Sequence, residues 1–276
     1  MLTIVVLFRG MCGLSKGVIR YLMAMAAAVL LVVIVDLVLM NIPIVYSEAF
    51  NFLWNIRICK VHATLLYAAN DCSVWFTVMF TFDRFVAIRC QNLKAKYSTE
   101  RMAVVFLGTV TALSCFKNVF WYFLLSGTYR RSSLPWPCVA RDAVQLSVAW
   151  TVVEFSSHIL TSVIPFVVIL LLNALTIRHV LVASRGRKRL RSRDSGNCSK
   201  DPEMENRKKS IILLLVVSAN FIVLWITYVV HTVWTRFICF VATIPPFSFW
   251  DLGYMLQLLS CCTNTGLYSL TQRKFR

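Results

Sequence analysis

The chain has 276 residues, 58% of them apolar and 15% charged, and 29 Lys and Arg against 12 Asp and Glu leave it at +17. Soluble domains are about 45–50% apolar and about 25% charged. The figures therefore exclude an ordinary water-soluble domain, a disordered chain, collagen and a secreted disulfide scaffold. A membrane reconciles the two extremes, because it buries apolar spans in lipid and gathers positive charge on one face.

Six apolar runs are long enough to cross a hydrocarbon core of about 30 Å. They are 17–46, 58–88, 102–125, 144–182, 210–235 and 247–270. The expected fold class is all-α, a polytopic membrane helix bundle forming one domain over 1–276. The run 144–182 exceeds one membrane thickness, so one end must project as ordinary helix. Ahead of the first run lies a stub, 2–8, whose seven residues make only about 10 Å of helix. It is too short for a signal peptide and lacks the basic segment that would precede one. Its alternatives are a loose N-terminus and the end of a further span that begins upstream. The second is the expectation, because Arg9, Lys16 and Arg20 follow it as a short cytoplasmic loop would.

Charge is distributed by side. The connections 9–20, 89–101 and 178–209 and the tail 273–276 hold 21 of the 29 basic residues, 11 of them in 178–209, whereas the alternate connections hold six. The positive-inside rule assigns the first set, and with it the C-terminus, to the cytoplasm. The basic stretch 183–209 could be taken for a nucleic-acid patch. Between two spans it is expected to be a cytoplasmic loop beside anionic lipid, where each basic residue contributes about 1 kcal/mol. Asn197-Cys198-Ser199 has the form of a glycosylation sequon but falls on the cytoplasmic side, away from the transferase.

Of ten cysteines, Cys72, Cys90, Cys115, Cys261 and Cys262 fall in or at the ends of spans, as small apolar packing residues. Cys12 and Cys198 face a reducing compartment. Cys59, Cys138 and Cys239 lie near the outer, oxidising face. A Cys59–Cys138 bridge would tie the loop after 102–125 to the mouth of the bundle, with pairing through Cys239 as the rival. No metalloprotease, nucleophile-elbow or phosphate-loop motif occurs, and His62, His158, His179 and His231 are scattered, so no enzyme activity, cofactor or metal is expected.

Charged residues within membrane helices are functional candidates by default. Asp83-Arg84 is the most informative pair, since neighbours on a helix point in different directions and Asp83 can restrain an Arg84 that faces the interior. The plain alternative is an interfacial arginine reaching for water. Asp36, Asn70, Asp71, Glu154, His158, Asn173, Asn220, Asp251 and Asn264 also lie deep, where the bland role is an interhelical hydrogen bond of about 0.6 kcal/mol. No internal repeat of the kind that builds transporters is present.

At these residues the chain resembles the rhodopsin-like (class A) G-protein-coupled receptors. Asp83-Arg84-Phe85, with Arg84 25 positions after Cys59, resembles the family's third-helix Asp-Arg-Tyr, with Phe85 for Tyr. Cys138 fits the outer-loop cysteine, Pro165 the fifth-helix proline and Phe221-x-x-x-Trp225 the sixth-helix toggle. Asn264-Thr265-Gly266-Leu267-Tyr268 resembles the seventh-helix Asn-Pro-x-x-Tyr. The stretch 68–88 is similar to a small orphan-type branch whose better-known members respond to aromatic amino acids.

The resemblance implies seven membrane helices, of which the first is represented here by the stub, and a Cys59–Cys138 disulfide. It implies a plasma-membrane receptor whose ligand-bound state swings helix six outward to admit a heterotrimeric G protein. Asp83, Arg84, Phe221, Trp225, Asn264 and Tyr268 would form the switch. Pocket candidates are Leu66, Tyr67, Asn70, Ser157, His158, Thr161, Tyr228, Tyr254 and Gln257, a set of aromatic and hydrogen-bonding groups suited to a small ligand. Partners would be an extracellular small molecule or peptide, the G protein and the bilayer, with no nucleic acid. Leu66 stands where amine receptors carry Asp, which argues against a cationic monoamine.

Several positions depart from the family. Val29 replaces the acid that usually binds sodium, and Asp36 is about 10 Å further along the axis. Thr227 and Thr265 replace prolines. Arg207 stands where some members place an acid that clasps the third-helix arginine. Those departures imply weaker restraint of the inactive state or a receptor that no longer signals. A transporter or channel-like bundle is the alternative from a different class.

Overall fold

The computed structural model describes residues 15–41, 56–89, 99–126, 139–140, 148–191 and 202–234, with helical pieces at 252–253, 255–256, 259–260 and 263. Long helices account for nearly all of it. Helix α1, Lys16–Val32, continues into a π-helical segment, Val33–Asn41; α2 is Ile56–Arg89 and α3 is Glu100–Leu124. Helix α4, Val148–His158, passes through a π turn, Ile159–Val163, into α5, Ile164–Arg191; α6 is Pro202–Val233. The non-helical exception among the described residues is a two-residue antiparallel ladder, β1 Leu125–Ser126 on β2 Val139–Ala140, with Leu125 opposite Ala140. The fold is an all-α membrane-helix bundle, as expected from the sequence.

Three stretches are long and apolar enough to cross a membrane, Lys16–Asp36, Glu100–Leu124 and Val152–Val180, joined by a shorter apolar helix at Leu215–His231. Helix α2 is longer than any of them at 34 residues, yet Asn70, Asp71, Asp83 and Arg84 interrupt its apolar run. The reason is its position. It packs against α1, α3, α5 and α6, so its polar groups meet protein instead of lipid. The stub 2–8 and most of the run 247–270 lie outside the described residues.

Local sequence explains most of the boundaries. Thr99 caps α3, its hydroxyl accepting the Met102 backbone N–H at 3.3 Å, and Glu100 in the first turn suits the positive end of the helix dipole. Glu100 also accepts two hydrogen bonds from Arg20 of α1, at 2.7 and 2.9 Å, joining the basic ends of two helices. At Pro165 the missing N–H and the ring deny Thr161 its usual α-helical partner. The ladder responds by widening, and the Ile164 N–H donates to Ile159 instead.

One boundary differs from the sequence reading. Of the stretch 183–209 expected as loop, residues up to Arg191 continue α5 and those from Pro202 onward belong to α6. Lys, Arg and Leu are good helix formers wherever propensity is not overridden. Proline is favoured at a first helical position because its missing N–H would be unpaired there anyway. Apolarity marks where the lipid ends, and these helices run past it.

Two clusters form the core on opposite sides of α2. Val18, Tyr21, Leu22, Met25 and Ala28, one stripe of α1 at three- and four-residue spacing, pack on Cys72, Phe76 and Phe80 with Ala103, Val110 and Val217. Val74 and Val78 of α2 meet Phe166 and Ile169 of α5 and Phe221, Trp225 and Val229 of α6. The outer surface is apolar as well: Phe116, Phe123 and Leu113 of α3 project outward, which suits lipid and would be an aggregation hazard in water. Phe80 is fully buried while Phe116 is 83% exposed. Phe80→Ala should therefore destabilise the protein by about 3–5 kcal/mol through the cavity it leaves. Phe116→Ala should cost under about 1 kcal/mol, since lipid tails are as apolar as the side chain. Thermal unfolding of both variants in lipid nanodiscs checks the contrast.

Candidate functional site

The expected switch pair sits near the basic end of α2. Asp83 and Arg84 are both buried, and the Arg84 Nε donates to Asp83 Oδ2 at 3.0 Å while Nη2 reaches the same oxygen. Adjacent residues on a helix diverge by about 100°, so the long arginine stem wraps back to make this pair. The phenylalanine at 85 offers no hydroxyl, but its ring face lies 5.7 Å from the Arg89 guanidinium, a cation–π distance. Position 207 is helical, within α6.

The expected toggle residues share one aromatic stack. Phe221 and Trp225, four apart on α6, lie with ring centroids 4.9 Å apart and nearly parallel, and Tyr228 meets Trp225 edge-on at 5.9 Å. The Trp225 indole N–H donates to Ser260 at 3.1 Å, and Asn220 donates to Thr263 at 3.0 Å. Two side-chain hydrogen bonds thus tie α6 to the 259–263 region. One turn higher, a Cβ at Gly253 would lie 3.3 Å from the Tyr228 backbone, so glycine permits a close approach at the turn that holds Thr227. Val29 packs with Val32 and Ala69 in a small apolar cluster.

Among the pocket candidates, Leu66, Asn70, Ser157, His158, Thr161 and Tyr228 are half-buried and Tyr67 is exposed. Glu154 of α4, noted in the sequence only as a deep polar residue, is half-buried as well. Thr161 is different, because its hydroxyl is engaged by two other side chains, donating to Asp71 at 2.6 Å and accepting from Lys117 at 2.8 Å. Tyr254, Gln257, Asn264 and Tyr268 lie outside the described residues.

Toward the other end of α2, Tyr67 stacks on Trp121 at 4.7 Å, and Trp121 meets Trp150 edge-on at 5.4 Å. Trp121 was missed by the sequence reading, which treated 102–125 as a uniform span. Cys59 is buried beside Trp121 and Leu125 and is disulfide-bonded. Its expected partner Cys138, like the rival Cys239, is outside the described residues. The ladder holds Val139 opposite Ser126, so the residue following Cys138 runs along the end of α3. Cys72 and Cys115 are free thiols.

Comparison with known proteins points the same way over nearly the whole chain. The family described as 7 transmembrane receptor (rhodopsin family) matches residues 1–268. A mouse protein described as probable G-protein coupled receptor 142 is 26% identical over 223 residues, covering 77% of this chain and 51% of that protein. The chain thus spans about half the length of that curated relative.

If Cys59 pairs with Cys138, then Cys59→Ser, Cys138→Ser and the double variant should each lose the same stability, about 2–4 kcal/mol. Additive losses, or an intact Cys59–Cys239 peptide in a non-reducing digest, would assign the bond to the rival.

Proposed function

The chain belongs to the rhodopsin family of seven-transmembrane receptors, and from that premise we propose that it transmits an extracellular small-molecule signal to a heterotrimeric G protein at the plasma membrane, its C-terminus in the cytoplasm. The observation that carries the reading is the buried Asp83–Arg84 pair at the basic end of the central helix α2. Arg84 held by its own neighbour is an arginine in waiting. An outward swing of α6 would open the space beside it, and a charge-assisted hydrogen bond to an incoming protein would replace the one to Asp83. The Phe221–Trp225–Tyr228 stack is the element that would move with ligand. It joins the pocket to the core of α5 and α6 and is tied to Ser260 by a single hydrogen bond, so one new contact can bias it.

For the ligand we propose a small aromatic amino acid or a close analogue. Tyr67 and Tyr228 supply ring faces, while Asn70, Ser157, His158 and Glu154 supply polar partners, the balance expected of a small-molecule pocket. The similarity of 68–88 to the aromatic-amino-acid-responsive branch supports the same class. Leu66 leaves no carboxylate at the position that would recognise a monoamine. The Cys59–Cys138 bridge would hold the outer loop over this mouth. With Arg207 in place of an acid, α6 makes no ion pair with Arg84 at that position, which favours appreciable signalling without ligand.

The test is nucleotide exchange on purified G proteins by membranes carrying the full-length receptor, with L-phenylalanine and L-tryptophan as probes. Arg84→Ala should reduce exchange by roughly tenfold or more, the effect of losing one charge-assisted hydrogen bond, at unchanged surface expression. Exchange unaffected by that variant would sink the mechanism. A well-expressed receptor that drives no exchange with any G protein would assign it to the signalling-incompetent class, and ligand-dependent flux in liposomes would favour a transporter.

A further inference from the structure

Asp71 lies in the middle of α2, 2% exposed, with no water or lipid headgroup within reach of a helix centre. Its Oδ2 takes a hydrogen bond from Asn118 at 2.5 Å and the Lys117 ammonium at 2.8 Å; its Oδ1 takes the Thr161 hydroxyl proton at 2.6 Å. Lys117 also donates to the Thr161 oxygen at 2.8 Å, and Asn118 donates to the Ser114 carbonyl at 2.8 Å. One carboxylate, one ammonium, one amide and one hydroxyl from three helices therefore close a neutral network.

The behaviour of Thr161 shows what the network acts on. Thr64, Thr77, Thr81, Thr109, Thr111 and Thr176 each donate to the carbonyl four residues back on their own helix. Thr161 donates across to α2 instead, from the centre of the π turn Ile159–Val163. A π turn contains one residue more than an α turn and is the less stable form, so something must favour it. Pro165 explains the missing backbone bond but leaves the direction of the segment above it open.

We infer that Lys117 and Asp71 are positioning residues of the ligand pocket, holding Thr161 and the π turn against α2 and thereby setting the rotation of Ser157 and His158 above it. The inference rests on the pocket reading proposed above. Below the turn, Phe166 and Ile169 anchor α5 in the core. If the turn relaxed to a regular α-helix, the half above would therefore be the part to rotate, by about 100° for the one residue lost. Thr161 itself is then a wall-setting residue and donates no hydrogen bond to ligand, since its single proton is committed to Asp71.

The test needs neither agonist nor G protein, so a failure here is distinct from a failure of the receptor reading. Single cysteines placed at positions 154 to 158 of the full-length receptor are probed on intact cells with a charged methanethiosulfonate reagent. The pattern of labelling rates along those five positions reports the rotation. In the Thr161→Val background, which removes the hydroxyl while leaving Asp71 with Lys117 and Asn118, the most reactive position should move by one residue. The same shift is expected for Lys117→Met combined with Asp71→Leu, which leaves neither an unpaired charge nor an acceptor for Thr161, and Lys117→Arg should retain the wild-type pattern. A merely structural role would lower thermal stability in these variants without changing which position labels fastest. An unchanged pattern in folded, surface-expressed Thr161→Val overturns the inference.

Discussion

A charge placed inside a bilayer has no water to turn to, so its partner must come from the protein. Helix α2 carries three such charges between its ends, Asp71, Asp83 and Arg84, and the rest of the bundle is arranged around them. Because α2 touches α1, α3, α5 and α6, the charges can be carried on it without facing lipid. The two sites meet the requirement in opposite ways. Asp71 draws partners from two other helices, 47 and 90 residues away in the chain. Asp83 and Arg84 satisfy each other, on one helix, with neighbouring residues.

A network spanning three helices resists relative movement of all three, since displacing any one leaves a buried group unsatisfied. The outer half therefore combines the ladder, the Cys59 bond, the Trp121 aromatic cluster and the Asp71 network into a rigid frame. The inner half is held by apolar packing around Phe80 and by the exposed Arg20–Glu100 pair. Exposed ion pairs contribute at most about 1 kcal/mol, so the apolar packing carries most of that hold. The Phe221–Trp225 stack packs against Val74 and Val78 of α2 and Phe166 and Ile169 of α5.

Much of this architecture was readable from the residues alone, for identifiable reasons. Spans announce themselves because lipid demands apolar length, and the 21 basic residues on one side announce orientation because charge does not cross easily. Asp83-Arg84 stood out since two charges at a helix end need an explanation. Asp71 was visible as a deep polar residue with a bland reading as a hydrogen-bonding group, but its partnership with Lys117 was not. Nothing in a chain position states that residues 46 apart will meet. Thr161 is a pocket candidate by its position in the helix, and only the packed bundle shows its hydroxyl bonded to Asp71 and Lys117. The ends of α5 and α6 were set too short because apolarity reports the thickness of lipid, while helices continue wherever backbone and propensity allow.

The sequence by itself determined the class of molecule: a basic-sided bundle of membrane helices bearing the landmarks of one receptor family. It could do so because burial in lipid and membrane orientation act on each residue separately and leave their mark in composition. Only the tertiary structure decided which charges pair, where the helix before Pro165 widens, and which aromatic rings stack. Those outcomes depend on distances between helices, and a distance of 2.6 Å between side chains 90 residues apart exists only once the bundle has packed.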